Sequence, residues 1–239
     1  MALTDNLVHY WKLDESSGNA SDSVGSITLT NTGTVPYAAA KIGNGITGSG
    51  SGQDMRSSSE PLTYAQLAGA FSINLWAKRI GNPSGASYAY RLNGTSGGNY
   101  RSFILYYYSA GGWHLNMTGG DSALTYSESG NLDMLTITYN GAGTFKFYVN
   151  GSQSGSNISL SMGSTAGSVS GMGLLGDGIG NNDFNIQEDE VGVWTKELTS
   201  GEITELYNSG AGLQYPFTPS FIGQFNRLPK QAIVRASNY

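Results

Sequence analysis

The chain has 239 residues, of which 38% are hydrophobic, 11% aromatic and 12% charged, enough apolar material for a sizeable core and too little charge for a disordered chain. The absence of cysteine excludes disulfides, zinc–thiolate sites and cysteine nucleophiles together, while 35 glycines without a period exclude collagen and favour short strands joined by tight turns. The formal charge of −5 is uneven: residues 216–239 hold Arg227, Lys230 and Arg235 and no acid, which leaves nine basic against 17 acidic residues, or −8, on the rest.

At the N-terminus, MALTDNLVHYWKLDE shows no basic segment followed by an apolar run, so no secretory signal is visible. No apolar stretch approaches the ~20 residues that a membrane helix needs. Strand-like alternation with a period of two then recurs near 6–13, 26–30 and 44–48. In FSINLWAK, Phe71, Ile73 and Leu75 share one face and Ser72, Asn74 and Trp76 the other. A strand near 86–92 is followed by a predicted hairpin at SFILYYYSAGGWHLNM, turning at Ser109–Gly112. A second hairpin, LTITYNGAGTFKFYVNG, leads in through Leu135, Ile137 and Tyr139, turns at Asn140–Gly143, and leads out through Phe145, Phe147 and Val149.

Strands are also predicted near 172–176 and 187–195, and one helix over 199–208. Thr199 and Glu202 have the spacing of a capping box, Ile203, Leu206 and Tyr207 form an apolar stripe, and Gly210 suits the stop. Many short strands with one short C-terminal helix predict an all-β protein, an antiparallel β-sandwich. Beyond Pro216 the alternation breaks down. Residues 1–215 are read as one domain and 216–239 as an extended basic arm, too apolar for a free tail, that docks on a partner through Phe221, Phe225, Arg227, Lys230 and Arg235.

Four separated segments together resemble the laminin-G-like, concanavalin A-like jelly-roll lectin family. LVHYWKLDESSGNASDSVG resembles the family's entry strand and its Asp-Ser-x-Gly turn, FSINLWAK its central strand, and LTITYNGAGTFKFYVNG its hairpin ending in Tyr-Val-Asn-Gly. EDEVGVWTKELTSGEITELYNSGAG resembles its closing Asp-Glu-Val strand and helix. The resemblance spans residues 6–215 and implies a jelly roll. Leu132-Asp133-Met134 stands where the family usually has a Trp-His pair, and Glu188 where it has an apolar residue.

The resemblance also implies a structural calcium carried by Asp22 and Asp189, since hard cations take carboxylate and carbonyl oxygens. The alternative is that Asp22 caps a turn and Asp189 accepts backbone hydrogen bonds. Some relatives cleave polysaccharides, and on a regular strand Glu188 and Glu190 would face the same way, roughly 7 Å apart. The Glu-x-Asp-x-x-Glu arrangement of jelly-roll glucanases is missing, however, because Val191 and Gly192 follow Glu190. His9 and His114, the two histidines available to a serine triad, read as packing residues, so the protein is expected not to be an enzyme.

Sugar sites combine flat rings with hydrogen-bonding groups in a shallow cleft, and Tyr106, Tyr108, Trp113 and His114 offer that mixture. Core packing is the alternative for each of them. The acidic body speaks against nucleic acid, because three arm cations neutralise only about three phosphates. The expected function is therefore a non-catalytic structural or binding protein displayed on an extracellular particle, a bacteriophage virion decoration or tail protein with glycan binding. Its expected partners are other virion or surface proteins, reached through residues 216–239, and cell-surface glycans, with the protein either homo-oligomeric or docked on an assembly. A methionine running straight into the first strand, without an export signal, suits assembly in the cytoplasm and release by lysis. The alternatives are a stand-alone lectin-like module and a glycoside hydrolase.

Overall fold

The structure, a computed structural model, describes residues 2–48, 52–81, 86–94, 103–108, 112–117, 120–162, 169–175 and 185–217. In chain order the strands are β1 (Leu7–Trp11), β2 (Thr30–Thr32), β3 (Tyr37–Ala39), β4 (Asn44–Thr47), β5 (Asp54–Ser57), β6 (Ala70–Arg79), β7 (Ala86–Gly94) and β8 (Phe103–Tyr108). They continue with β9 (Gly112–Met117), β10 (Gly120–Ala123), β11 (Asp133–Asn140), β12 (Thr144–Val149), β13 (Ser152–Gln153), β14 (Ile158–Ser159), β15 (Val169–Leu174) and β16 (Ile186–Trp194). The predicted C-terminal helix forms as α2 (Ser200–Tyr207), and a five-residue helix, α1 (Tyr64–Ala68), precedes β6.

The strands form two antiparallel sheets. One runs β13-β12-β11-β6-β16-β4-β3, with β1 also on β16 and β14 also on β12; the other runs β10-β9-β8-β7-β15-β5-β2. The predicted hairpin appears in register, Leu135 opposite Val149 and Tyr139 opposite Phe145. Its inward set meets Phe71, Ile73 and Leu75 of β6, and Phe103, Leu105, Trp113 and Leu115 close the core from the other sheet. Each such side chain contributes roughly 1.5–3 kcal/mol by leaving water, so this layer dominates the stability.

The outer face of the first sheet is also buried, which alternation in FSINLWAK did not convey. Trp76, Met134, Tyr148 and Trp194 lie there beneath Leu198, Ile203 and Leu206 of the helical segment. Two pairs of polar contacts lie on this face: Thr136 donates to Asn74 at 2.6 Å, and Ser72 bonds the Lys196 carbonyl and the Leu198 amide. Gly192 on β16 is needed there, since a Cβ at its position would lie 2.5 Å from the Trp194 ring.

α2 begins as the sequence predicted, with both halves of the Thr199–Glu202 capping box made. Its stop comes earlier than Gly210, because Asn208 and Ser209 both adopt left-handed conformations, with φ of 47° and 54°. The body also runs past the predicted boundary at 215. Phe217 is buried and packs edge-on against Tyr10, their ring centroids 5.3 Å apart. Phe221, Phe225, Arg227, Lys230 and Arg235, the predicted docking residues, lie outside the described residues. Among the described residues no helix is long and apolar enough to cross a membrane.

Candidate carbohydrate site and the acidic latch

Three neighbouring strands of the second sheet build the candidate site on its outer face. Strand alternation sends Phe103, Leu105, Trp113 and Leu115 inward, so Tyr106, Tyr108, His114 and Asn116 point away from the core. Register then sets Tyr106 opposite His114, and Asp121 of β10 opposite Asn116. Asp121 ties the group together. Its carboxylate accepts from the Tyr106 hydroxyl at 3.1 Å, lies 2.7 Å from His114 Nδ1, and is 3.4 Å from Asn116 Nδ2. A carboxylate acceptor assigns the proton to Nδ1 of His114.

The rings are arranged as a platform. Tyr106 and His114 have centroids 5.3 Å apart with planes tilted by 34°, and Tyr108 meets His114 edge-on at 6.4 Å. Tyr108 is 44% exposed, whereas most aromatics among the described residues are buried. Aromatic faces beside an amide and a carboxylate can stack on the C–H face of a pyranose while bonding its hydroxyls.

Trp113 departs from the predicted set. It is 2% exposed on the opposite face, packs against Tyr107 and Tyr126, and donates its indole N–H to Glu128 at 2.9 Å. Its phase with Leu115 and Met117 was the signal for this. Asn116 and Asp121 are the site residues that sequence reading missed. Asn116 shares the phase of His114, whereas Asp121 is visible only once β10 folds back beside β9.

The structure does not bring Asp22 and Asp189 together. Asp22 sits in a bridge opposite Trp11, whose other neighbour is Val191, so β1 stands between Asp22 and β16. Two strand spacings are roughly 10 Å. Asp22 is also saturated: Oδ1 accepts from the amides of Tyr10, Val24 and Gly25, and Oδ2 from His9 Nδ1 at 2.6 Å and the Ile27 amide. Burial works to raise its pKa, but these donors, His9 foremost, hold it at about 2. The two residues do not fit a shared calcium, and among the described residues no group of three or more metal-ligating side chains is placed to hold a metal ion.

Replacing Asp22 by alanine strands several amides, most of them partly buried, and is expected to cost about 2–4 kcal/mol in urea unfolding. The same cost with and without EDTA is expected, and a cost that disappears in EDTA would restore the metal.

Glu188 and Glu190 do not form a pair either. A bulge between Asp189 and Gly192 sets Glu190 at φ 53° and breaks the alternation on which the 7 Å spacing depended. Glu188 lies opposite Ala77 and Ile46, both core residues, and so faces the space between the sheets. Glu190 instead accepts from the Tyr10 hydroxyl and from Gln214 at 2.6 Å, and Gln214 also reaches Asp14 at 2.8 Å. Asp189 accepts from the Ile42 amide at 2.9 Å. All three carboxyls are fully buried. Burial pushes each pKa up, most plainly for Glu188, where it outweighs the lowering effect of the Leu175 backbone. The stretch therefore latches β16 to β1, to the segment before β4 and to the C-terminal segment.

A two-sheet sandwich carrying an outward aromatic and polar face has the architecture of the lectin-like jelly rolls. The family model described as the concanavalin A-like lectin/glucanases superfamily matches residues 49–204, and the chain belongs to that laminin G-like family. No curated protein matches the sequence. Among solved structures, Trypanosoma rangeli sialidase superposes with a TM-score of 0.65 at 18% identity, over 87% of this chain and 33% of that one. The receptor-binding domain of the botulinum neurotoxin C/D mosaic serotype gives 0.64 at 16% identity, over 85% and 51%. The binding domain of botulinum neurotoxin DC, solved with rat synaptotagmin II, gives 0.66 at 15%, over 87% and 52%. At these identities the likeness is of fold alone. The chain spans about a third of the sialidase and half of the neurotoxin domains.

Proposed function

We propose that the protein is a non-catalytic carbohydrate-binding module that takes its ligand on the Tyr106, Tyr108, His114, Asn116 and Asp121 face. The observation that carries this reading is that Asp121 gathers Tyr106, His114 and Asn116 beside an exposed Tyr108 on one face of the sheet. Membership of a lectin and glucanase superfamily supports it, as do neighbours whose names include a sialidase and receptor-binding domains. The non-catalytic part rests on Glu188, Asp189 and Glu190, which are sealed from solvent and split between the two faces of β16. No substrate reaches any of these three carboxyls in that state.

A glycan array followed by titration calorimetry tests the reading. Binding by the wild type and a loss on the order of tenfold or more in Tyr106→Ala and Tyr108→Ala are expected. An array with no hit, or hits that both variants retain at full affinity, would rule this face out. Release of reducing ends from a bound polysaccharide would overturn the non-catalytic part.

Display on a bacteriophage virion is the sequence-level part of this reading. It rests on the cysteine-free, glycine- and tyrosine-rich composition and on the apolar, basic residues 218–239. Mass spectrometry of purified particles tests it, and a chain found only outside particles would sink it.

A further inference from the structure

A cleft of about 420 Å³ opens beside the aromatic face, lined by Asp121 and Ser122 on β10, Thr125 beyond it, and Asn157, Ser159 and Leu160 around β14. It lies where the two sheets part: β10 is an edge strand of one, and β14 pairs only with β12 of the other. Gly120 approaches Leu160, and the Ser154 hydroxyl bonds the Thr125 carbonyl, so both walls are held by contacts within the body. Asp121 belongs to the cleft and to the platform at once.

We propose that the cleft and the Tyr106–Tyr108–His114 platform form one continuous site for a neutral oligosaccharide of two or more rings, with Asp121 at the junction. This rests on the carbohydrate-binding reading above and adds the class and length of the ligand. The volume is within the roughly 300–1,000 Å³ of small-molecule sites. Its wall offers hydroxyls from Ser122, Thr125 and Ser159 and the Asn157 amide, while Ile158 and Leu160 supply apolar contact. Among its described lining residues there is no lysine or arginine, and the single ionised group is Asp121. An acidic sugar would meet a carboxylate without a compensating cation, whereas a neutral sugar would not.

Hydrogen-bond capacity points the same way. A carboxylate has about four acceptor sites, and Tyr106, His114 and Asn116 occupy three of them, which leaves one for a ligand hydroxyl. A peptide added as an extra strand fits less well, because β10 has four residues and β14 two, too few for a ladder.

Calorimetry with one- to four-ring members of the neutral glycan series found on the array is the test. In the wild type, affinity should rise on the order of tenfold from one ring to three. Ser159→Trp, which fills the cleft from an exposed position, should reduce the length gain to less than about twofold. If Ser159→Trp does not fold, the double variant N157A/S159A should still cut three-ring affinity by about threefold or more. An unchanged length gain in a folded variant, or an array whose hits are acidic glycans or peptides, overturns the inference. The carbohydrate reading fails separately, through loss of every glycan signal or indifference to Tyr106→Ala.

Discussion

Glu202→Ala is expected to lower the stability of the protein by about 3–5 kcal/mol, on the order of 10 °C in Tm. One side chain makes three kinds of contact at this point. Its carboxylate lies 2.7 Å from Lys196 Nζ, with the two side chains only 7% and 9% exposed. It also accepts from the Thr199 amide and hydroxyl, closing the N-terminus of α2. Alanine removes the cap, worth about 1 kcal/mol, and leaves a nearly buried ammonium whose remaining contact is the Ala2 carbonyl at 3.3 Å.

The second term is the larger, because an unpaired buried charge costs more than a lost cap. Thr199→Ala should therefore cost about 1 kcal/mol, and Glu202→Gln, which keeps an acceptor but loses the charge, should fall between the two. Burial works to raise the Glu202 pKa, but Lys196 and Thr199 hold it below the usual carboxylate range. Its contribution is thus present above the unfolded pKa and fades as the pH falls. Equal costs for Thr199→Ala and Glu202→Ala in urea unfolding would mean that the ion pair contributes nothing.

Stability is expected to peak near pH 5 and to fall on the alkaline side, with Glu188 the main cause. An acid whose folded pKa is raised binds its proton more tightly when folded. It gives its full contribution below the unfolded pKa of about 4.5 and loses ~1.4 kcal/mol per pH unit until the folded pKa is reached. Glu188 is raised well above its ordinary value by burial, and Asp189 and Glu190 are raised to about 9 and about 8. The carboxyls with lowered values, Asp22 at about 2 among them, act in the opposite sense and set the acid limb.

Glu188→Gln keeps the shape and removes the titration. It should match the wild type at pH 5 and exceed it by a margin that widens as the pH rises above the unfolded value. Parallel Tm–pH curves for the two proteins from pH 5 to 9 would show that Glu188 does not carry the effect.

Much of the fold was legible because its signals are local. Leu135, Ile137, Phe145 and Phe147 alternate on either side of an Asn-Gly turn, and Thr199 with Glu202 announces the helix. What was not legible depends on the partner across the sheet. Ser72, Asn74 and Trp76 read only as the second face of a strand but are covered by the α2 segment, because period two cannot say whether a second layer lies outside. The bulge at Glu190 inserts one residue and moves two carboxyls to opposite faces, and glutamate is not a residue type that signals a left-handed backbone. The phase of Trp113 with Leu115 and Met117 was readable, and composition of the aromatic run outweighed it. Asp121 enters the site only through a third strand, which a segment-by-segment reading does not assemble.

The most direct test of the account is an amide-shift map by NMR with the highest-affinity neutral glycan from the array. The perturbed amides should gather on β8, β9 and β10 around Tyr106, His114 and Asp121 and extend to Asn157 and Ser159. Perturbations gathered instead around Asp22 and Asp189, or on the α2 face around Trp76 and Tyr207, would place the ligand elsewhere and contradict it.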